Sequence, residues 1–466
     1  MKNLLRFVVG GLCLAGVAAA SATPVVGGTS GAQAIPGHYI VVLKDGSDSA
    51  TVAAKHEVKY GADVSHVYRY AFKGYAAKLS ASALSALTAD KDVRSVTEDG
   101  VFSAASTCTG ADGSASPGGL YATQCLPTGI DRVDADRSTA RSGDGRRSVD
   151  IDVAVLDTGI DLNHPDLNVV GGKDCVGSGK RASFDDPDYH GTHVAGTIGA
   201  LDNGIGVVGV APGARLWAVR VLDERGIGSK STIICGIDFV TSTRLDADPA
   251  NDVAVANMSI LGKGSDDGGC GQTNDALHVA ICNSVAAGVT YAVAAGNRPI
   301  DFQGGVPAAY DEVLTATAVT DLDGRPGGLD PRNSCPISGP PPIVDDTVAS
   351  FSAFATLPTD QAHTIAAPGV CITSTLASPG PFGNDPNGLF GNDAGTSMAA
   401  PHVSGTVALC IASGACAGLT PLQIIQKIRS DAAAYNGATP GYGFEGDPFR
   451  PISGKYYGYL IRAGLY

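Results

Sequence analysis

Three residue types that nucleophilic acyl transfer requires lie in separate segments of this chain, in the order Asp, His, Ser. Asp157 ends the segment VAVLD, His190 opens HGTHVAGT, and Ser397 lies within GTSMAAPHVSG. A serine hydroxyl attacks a carbonyl carbon when a histidine takes its proton, and a carboxylate orients that histidine and stabilises its charged form. The three segments therefore predict a catalytic triad.

The sequence around each of these residues predicts an element that would hold its side chain in place. The apolar run before Asp157 is typical of a buried parallel strand, so its carboxylate would lie at the strand's C-terminal end. Small and apolar residues after His190 and after Ser397 predict two helices that begin there, and a helix N-terminus favours negative charge. Singly, such an aspartate is usually a turn residue and such a serine an N-cap. The prediction therefore rests on the three motifs together.

In these motifs and their order, the chain from about Gln124 to its C-terminus resembles the subtilisin-like serine proteases. The resemblance implies a serine endopeptidase with a three-layer α/β/α sandwich, an α/β fold around a mostly parallel sheet whose carboxyl ends carry the site. It also implies that Asn297, at the end of YAVAAGN, donates to the oxyanion together with the backbone N–H of Ser397. The alternative is an ordinary loop asparagine after glycine.

The segment ALDNGIGVVGVAPG resembles the calcium-binding loop of the same family. Carbonyl oxygens at alternate positions and an amide oxygen are hard ligands that suit Ca²⁺. A glycine-rich surface turn capped by a carboxylate is the alternative. A second cation site is doubtful, because Thr364 stands where the family often has a carboxylate. The ligands that the resemblance implies are Asp166, the Asn203 side chain, and the carbonyls of Leu201, Ile205 and Val207.

Substrate is expected to bind through backbone pairing, because a protease that cuts many sequences adds its substrate as a strand and leaves selectivity to pockets. Leu261 stands where the family usually has glycine in the wall of the S1 pocket, which receives the residue before the cleaved bond. The resemblance therefore implies a narrow pocket, unless local repacking turns Leu261 outward. The expected edges are Gly226-Ile227-Gly228 and Ser259-Ile260-Leu261-Gly262, and the expected S1 lining is Ala294, Ala295 and Gly296.

The N-terminal part of the chain predicts two segments that precede the peptidase. Lys2, Arg6, the apolar stretch 7–20 and small residues up to Ala22 are typical of a secretory signal peptide. Residues 37–102 contain no cysteine and predict a small α+β module. Its strands are HYIVVLK, GYAAKLS and a last edge at 96–102, and its helices follow Ser47 and cover SALSALTADKDVRSV.

This module resembles the inhibitor-type prodomain of the same superfamily, which assists folding and blocks the cleft with its C-terminal tail. We therefore expect a signal peptide at 1–22, a propeptide at 23–105 and a peptidase domain at 106–466, with self-cleavage within 102–107. The alternative is a permanent N-terminal binding domain. After Ser397 the sequence predicts a helix over LTPLQIIQKIRSDA and a final edge strand over YYGYLIRAGLY.

Ten of the eleven cysteines lie at or after Cys108. An even number in an exported chain predicts disulfides, although the sequence does not settle their connectivity. Short loops favour Cys108–Cys125, Cys270–Cys282, Cys335–Cys371 and Cys410–Cys416, which leaves Cys175–Cys235.

The formal net charge of −14 argues against nucleic acid and anionic membranes as partners. We expect a secreted monomer whose partners are protein or peptide substrates and its own propeptide. A catalytically silent subtilase-fold protein used in binding or adhesion is the alternative function. An esterase of the α/β-hydrolase type is disfavoured because GTSMA around Ser397 lacks the second glycine of G-x-S-x-G.

Overall fold

A computed structural model describes residues 34–104, 124–177, 183–328, 343–377 and 388–466. The predicted signal peptide, Cys108 and Cys335 lie outside these ranges. The first range forms a small α+β unit. Its elements are β1 (Ala34–Leu43), α1 (Ser49–Tyr60), β2 (Asp63–Tyr68), β3 (Gly74–Lys78), α2 (Ala81–Leu87) and β4 (Val93–Ala104).

The strands of this unit form an antiparallel sheet in the order β4-β1-β3-β2, with both helices against one face. The predicted helix over residues 82–96 is wrong in its second half. It ends at Leu87, because the backbone N–H of Asp90 turns back to the Leu87 carbonyl and β4 begins at Val93. The predicted last edge over 96–102 lies within β4, which is the outer strand of this unit's own sheet and pairs at its C-terminal end with strands of the large unit. The strand β2 was not predicted.

The remaining ranges form one large α/β unit. Its helices are α3 (Thr128–Arg132), α4 (His190–Gly199), α5 (Lys230–Thr243), α6 (Ala276–Ala286), α7 (Pro358–Gln361), α8 (Thr396–Ala412) and α9 (Pro421–Ala438). Its strands are β5 (Asp152–Asp157), β6 (Val169–Asp174), β7 (Arg215–Arg220), β8 (Ile227–Ser229), β9 (Val255–Met258), β10 (Ile260–Lys263), β11 (Thr290–Ala294), β12 (Gly305–Val306), β13 (Leu314–Thr320), β14 (Thr347–Val348), β15 (Thr364–Pro368), β16 (Ile372–Thr375) and β17 (Phe390–Asp393).

The central sheet has the order β14-β13-β11-β9-β5-β7-β6, with β15 also paired to β13. All of these pairs are parallel except β13–β14. Alternate residues of β5 face opposite layers: Val153 and Val155 pack with α4 and α8, whereas Ala154 and Leu156 pack with α5 and α6. Helices on both faces explain why this strand is apolar throughout. The predicted three-layer α/β/α sandwich is confirmed.

Three disulfides join described cysteines: Cys175–Cys235, Cys270–Cys282 and Cys410–Cys416, as predicted. Cys371 is also disulfide-bonded, while its predicted partner Cys335 lies outside the described residues. The predicted Cys108–Cys125 pair is wrong, because Cys125 is a free thiol. Its backbone N–H donates to the Gly206 carbonyl, which holds this residue on the loop after α4.

The last eleven residues do not form the predicted edge strand. They make isolated bridges at Tyr456 and Leu460 and end in a short 3-10 turn at Ala463–Leu465. The Leu460 carbonyl accepts from the side chain of Asn436 in α9, and Gly458 has a φ of 84°, so a regular ladder is interrupted. No helix among the described ranges is long and apolar enough to span a membrane.

Candidate active site

The residues predicted to do chemistry meet at the carboxyl edge of the central sheet. Asp157 is the last residue of β5, Ser259 follows β9 directly, and Asn297 lies just beyond the end of β11. Helix α4 begins at His190, and Ser397 is the second residue of α8. Neighbouring parallel strands end at the same edge, and side chains from distant parts of the sequence therefore converge there.

Asp157 and His190 form a buried hydrogen-bonded pair. The Asp157 Oδ1 atom lies 2.7 Å from His190 Nδ1 and also accepts the backbone N–H of Thr158 at 2.8 Å. Burial by itself lowers the pKa of His190, but the Asp157 carboxylate raises it, and the resulting pKa is about 9. The Asp157 carboxylate therefore stabilises the imidazolium form of His190.

Ser397 is fully buried at the start of α8 and contacts Ser259, which follows β9. Its Oγ donates to the Ser259 carbonyl at 3.3 Å, and the Ser259 hydroxyl donates to the Ser397 carbonyl at 2.7 Å. His190 Nε2 is buried and makes no hydrogen bond with a described residue. The structure thus brings the serine and the histidine to one site without a hydrogen bond between them. Such contacts are often long before substrate binds.

The Asn297 side chain is held by its oxygen. Its Oδ1 accepts the backbone N–H of Thr396 at 2.8 Å and the Thr396 hydroxyl at 2.9 Å. The amide nitrogen Nδ2 is buried and makes no hydrogen bond to any residue in the described ranges. A fixed amide with an unused N–H₂ group is a preorganised donor for negative charge next to Ser397.

The two edges expected to pair with substrate are both occupied by the C-terminal end of β4. On one side Phe102 pairs with Gly228 and Ser103 with Ile227; Gly226 turns the chain into this edge with a φ of 66°. On the other side Ala104 pairs with Ile260, one residue after Ser259. An N-terminal segment therefore lies antiparallel to both edges and runs toward Ser397.

The N-terminal unit is anchored to the large unit by polar contacts as well as by this strand. The Asp238 carboxylate of α5 accepts the backbone N–H of Tyr70 at 2.6 Å and that of Ala71 at 2.7 Å. Asp99 accepts the backbone N–H of Ser231 in the first turn of α5 at 3.0 Å. A carboxylate at a helix N-terminus also interacts favourably with the helix dipole. No local motif in the sequence marks these anchors.

The expected S1 lining is buried beside β10. Ala294 and Ala295 are fully buried, and Gly296 has a φ of 113°. A Cβ on Gly296 would lie 2.8 Å from Leu261 Cδ2 and one on Gly305 3.0 Å from Leu261 Cδ1. The Leu261 side chain therefore packs against this lining and is turned inward.

The loop after α4 surrounds the buried carboxylate of Asp166. Asn203 Nδ2 donates to Asp166 Oδ1 and the Val207 N–H donates to Oδ2, each at 3.0 Å. Burial raises the pKa of Asp166 to about 7, and no described Lys or Arg pairs with it. The carbonyls of Leu201, Ile205 and Val207 accept no hydrogen bond from the described residues, whereas those of Gly204 and Gly206 do.

Gln124, which was not predicted as a site residue, is bonded to this loop from a distant part of the chain. Its Oε1 accepts the Gly204 N–H at 2.5 Å, and its own N–H donates to the Gly204 carbonyl at 2.9 Å. No local motif marks Gln124, because it lies far from the loop in sequence. This group of oxygens around an uncompensated carboxylate suits a hard cation such as Ca²⁺. A Cβ on Gly206 would come within 2.5 Å of Asp166 Oδ2, so only glycine leaves the carboxylate this space.

Known proteins share both units. The profile of the Subtilase family matches residues 149–444, and that of Peptidase inhibitor I9 matches residues 38–105. Subtilisin NAT of Bacillus subtilis subsp. natto is 34% identical over 410 residues, 87% of each chain. Proteinase R of Parengyodontium album is 31% identical over 382 residues, 82% of this chain and 81% of that protein.

A solved structure shares the fold over almost the whole chain. Fervidolysin from Fervidobacterium pennivorans, described as a keratinolytic enzyme related to subtilisin, gives a TM-score of 0.66 at 24% identity. The match covers 95% of this chain but 62% of that one, so this chain spans less than two thirds of fervidolysin. Because a family profile covers most of the chain and the relatives exceed 30% identity, this chain belongs to the subtilase family of serine endopeptidases and carries an I9-type propeptide.

Proposed function

We propose that Asp157, His190 and Ser397 are the catalytic triad of a secreted endopeptidase that processes its own precursor. The observation that carries this proposal is the end of β4, which lies as a strand between two edges and runs toward Ser397. A peptide held in this way would bring a carbonyl toward Ser397 at the edge of the sheet that also carries the buried Asp157–His190 pair.

The chemistry follows from the groups at this edge. His190 Nε2 takes the proton of Ser397 as Oγ bonds to the substrate carbonyl carbon, and Asp157 stabilises the imidazolium. Asn297 Nδ2 and the Ser397 N–H donate to the oxyanion. His190 then protonates the leaving amine, and water repeats the same steps on the acyl-enzyme.

An activated ester tests this mechanism against the alternative of a silent binding protein. A serine enzyme that forms an acyl intermediate releases one equivalent of alcohol in a burst before steady turnover. We expect a burst of one equivalent per mature chain and its loss after treatment with a sulfonyl fluoride. No burst and no hydrolysis in the mature chain would favour the binding protein.

The register of β4 supports a specific cleavage site. Ser103 pairs with Leu261 and Ala104 with Ile260. Each further residue of the N-terminal segment therefore comes one position closer to Ser259, which contacts Ser397. We propose that the enzyme cuts its own chain between Ala105 and Ser106, which separates a propeptide at 23–105 from the peptidase at 106–466. Until it dissociates, the cleaved propeptide blocks the same cleft as an intramolecular inhibitor. A signal peptide at 1–22 would direct export.

The activity should depend on pH through His190. The imidazole must be neutral to take a proton, and its pKa is about 9. We expect kcat/KM for a peptide substrate to rise from neutral toward alkaline pH and to fall roughly tenfold per unit below the pKa. A pH series on the mature enzyme measures this. Full activity at pH 4 would contradict a histidine base.

Leu261 should restrict the P1 residue of the substrate. Its inward side chain fills space over Gly296, and the proposed P1 residue of the propeptide is Ala105, a small residue. We expect Leu261→Gly to raise the preference for phenylalanine over alanine at P1 by on the order of tenfold to a hundredfold. Leu261→Ile is the matched control and should keep the wild-type ratio. An unchanged ratio in Leu261→Gly would assign P1 selection to other residues.

We further propose that the loop around Asp166 binds a structural Ca²⁺. The ligands would be Asp166, the Asn203 and Gln124 side chains, and the carbonyls of Leu201, Ile205 and Val207. The free carbonyls and the uncompensated buried carboxylate support this set. When bound, the ion would neutralise the carboxylate and tie Gln124, near the start of the peptidase, to the loop.

Removal of calcium should shorten the life of the enzyme without changing its chemistry. An ion that binds the folded state alone adds about 2.7 kcal/mol to stability at a hundredfold excess over its Kd. We expect chelation to speed thermal inactivation and autolysis, while initial rates in short assays stay unchanged. Asp166→Ala should inactivate as fast without chelator and should not respond to added Ca²⁺. A wild-type half-life that chelation leaves unchanged would make the loop a plain turn.

A further inference from the structure

Three side chains outside the active site bring ligand atoms together just before two neighbouring strands begin. Asp311 precedes β13, Asp360 lies in α7, and His363 directly precedes β15. One atom from each lies within 4.8 Å of the others, and His363 Nε2 is 3.8 Å from Asp311 Oδ1. No residue of this cluster belongs to the proposed triad or to the loop around Asp166.

The His363 ring presents a lone pair to the two carboxylates. Thr315 Oγ1 donates its proton to the Ala308 carbonyl at 2.8 Å, so at the 3.3 Å contact it accepts from His363 Nδ1–H. The proton of the neutral ring is therefore on Nδ1. Its Nε2 is buried and makes no hydrogen bond with a residue in the described part of the chain.

Asp360 adds a second buried ligand atom without a hydrogen bond. Its side chain is buried, and Oδ2 has no hydrogen-bond partner within the described ranges. The Asp311 carboxylate lies within 4.8 Å of the Asp360 ligand atom, so two carboxylates share this place. Arg429, the nearby cation, donates to the carbonyls of Gln361 and Thr364 at 2.6 and 3.0 Å. A buried imidazole lone pair and a buried carboxylate oxygen, neither of them hydrogen-bonded to a described residue, lie within 4.8 Å of each other and are suited to share a cation.

We propose that Asp311, Asp360 and His363 bind one divalent transition metal ion of the Zn²⁺ class. A neutral imidazole nitrogen with two carboxylates suits zinc, whereas Ca²⁺ and Mg²⁺ prefer oxygen ligands alone. Tetrahedral zinc places its ligand atoms about 3.4 Å apart, so small side-chain adjustments close the site. Asp311 is 44% exposed, which leaves room for a water as the fourth ligand.

The second nitrogen of His363 matches a feature of known metal sites. A histidine that binds a metal usually donates its other N–H to a fixed acceptor, which orients the ring. Here Thr315 Oγ1 is that acceptor, and its own proton is used by Ala308. Thr364 is not a ligand, because its hydroxyl donates to the Asp360 carbonyl at 2.6 Å. The ion would join the two loops that lead into the parallel strands β13 and β15.

The test measures zinc binding to the full chain with Ser397→Ala, which excludes autolysis, in excess Ca²⁺ to saturate the other loop. We expect one Zn²⁺ per chain after equilibrium dialysis, and Co²⁺ in its place to give visible d–d absorption. His363→Gln and Asp360→Asn should each weaken the affinity at least tenfold. Zinc should also raise the Tm of the parent and not that of these variants.

Two further variants keep the outcome decisive. Asp311→Asn changes a half-exposed side chain, so this variant should fold even if the variants at buried positions do not. Its affinity for zinc should also fall at least tenfold. His38→Gln, a histidine of the N-terminal unit, is the matched control and should bind zinc as the parent does. The proposal is overturned if the parent binds no zinc at about 100 µM added metal, because even a weak site with a Kd on that order would be about half occupied. It is also overturned if Asp311→Asn and His363→Gln bind as tightly as the parent.

Discussion

Ser397→Ala should accumulate as one uncleaved precursor that begins after the signal peptide. The hydroxyl is the nucleophile in the proposed mechanism, and removal of a triad nucleophile costs on the order of a millionfold in turnover. Because we propose that the same site cuts the end of β4, processing should stop together with peptide hydrolysis. The measurement is the mass and N-terminal residue of the secreted chain, with Ser106 expected at the N-terminus of the wild type.

A second serine of the C-terminal helices provides the control. Ser430→Ala removes an exposed hydroxyl in α9 that donates to the Lys427 carbonyl, and it should mature normally. Trace wild-type enzyme added to the Ser397→Ala precursor separates cleavage in trans from cleavage within one chain. If Ser397→Ala is trimmed near residues 102–107 in the absence of any other protease, self-processing is wrong.

Asn297→Ala should lower kcat by about 100-fold to 1000-fold with little change in KM. The Asn297 amide is buried, its nitrogen has no partner among the described residues, and its oxygen is fixed by Thr396. Loss of one preorganised oxyanion donor costs roughly 3–4 kcal/mol of transition-state stabilisation. Steady-state kinetics on the mature enzyme give both constants, and a separate thermal melt checks that the fold is intact.

Two variants separate donation to the oxyanion from support of the neighbouring helix. Thr396→Val removes the hydroxyl that contacts Asn297 Oδ1 and leaves the amide in place, so it should cost little. Asn297→Asp keeps an acceptor for the Thr396 N–H but removes the donor, so it should lose at least as much kcat as Asn297→Ala. If Thr396→Val is as slow as Asn297→Ala, then Asn297 acts through the position of α8 and not as a donor.

Local patterns in the sequence predicted the elements that carry the candidate site. The apolar run before Asp157 became β5, buried on both faces, and the small-residue segments after His190 and around Ser397 became α4 and α8. These predictions succeeded because hydrophobic periodicity and glycine placement act over a few neighbouring residues. The same local signals misjudged residues 88–96, where alanine and lysine favour a helix but β4 starts by pairing with β1.

Contacts between distant segments decided where individual side chains of the site lie. Sequence left open whether Leu261 turns outward, and packing against Gly296 and Gly305 turns it inward. Gln124 carries no motif, yet backbone bonds to Gly204 bring it to the loop around Asp166. A backbone bond to the Gly206 carbonyl likewise places Cys125, a free thiol, at that loop.

By itself, the sequence determined the subtilase architecture, the three motifs and their order, and the inhibitor-like N-terminal unit. It favoured three disulfide pairs that the structure then fixed. Only the tertiary structure decided that β4 pairs with both edges of the cleft, and that Asp311 and His363 face each other. The reason is physical. Secondary structure follows from interactions between near neighbours in the chain, whereas the register of a strand against a remote edge depends on how complete layers pack.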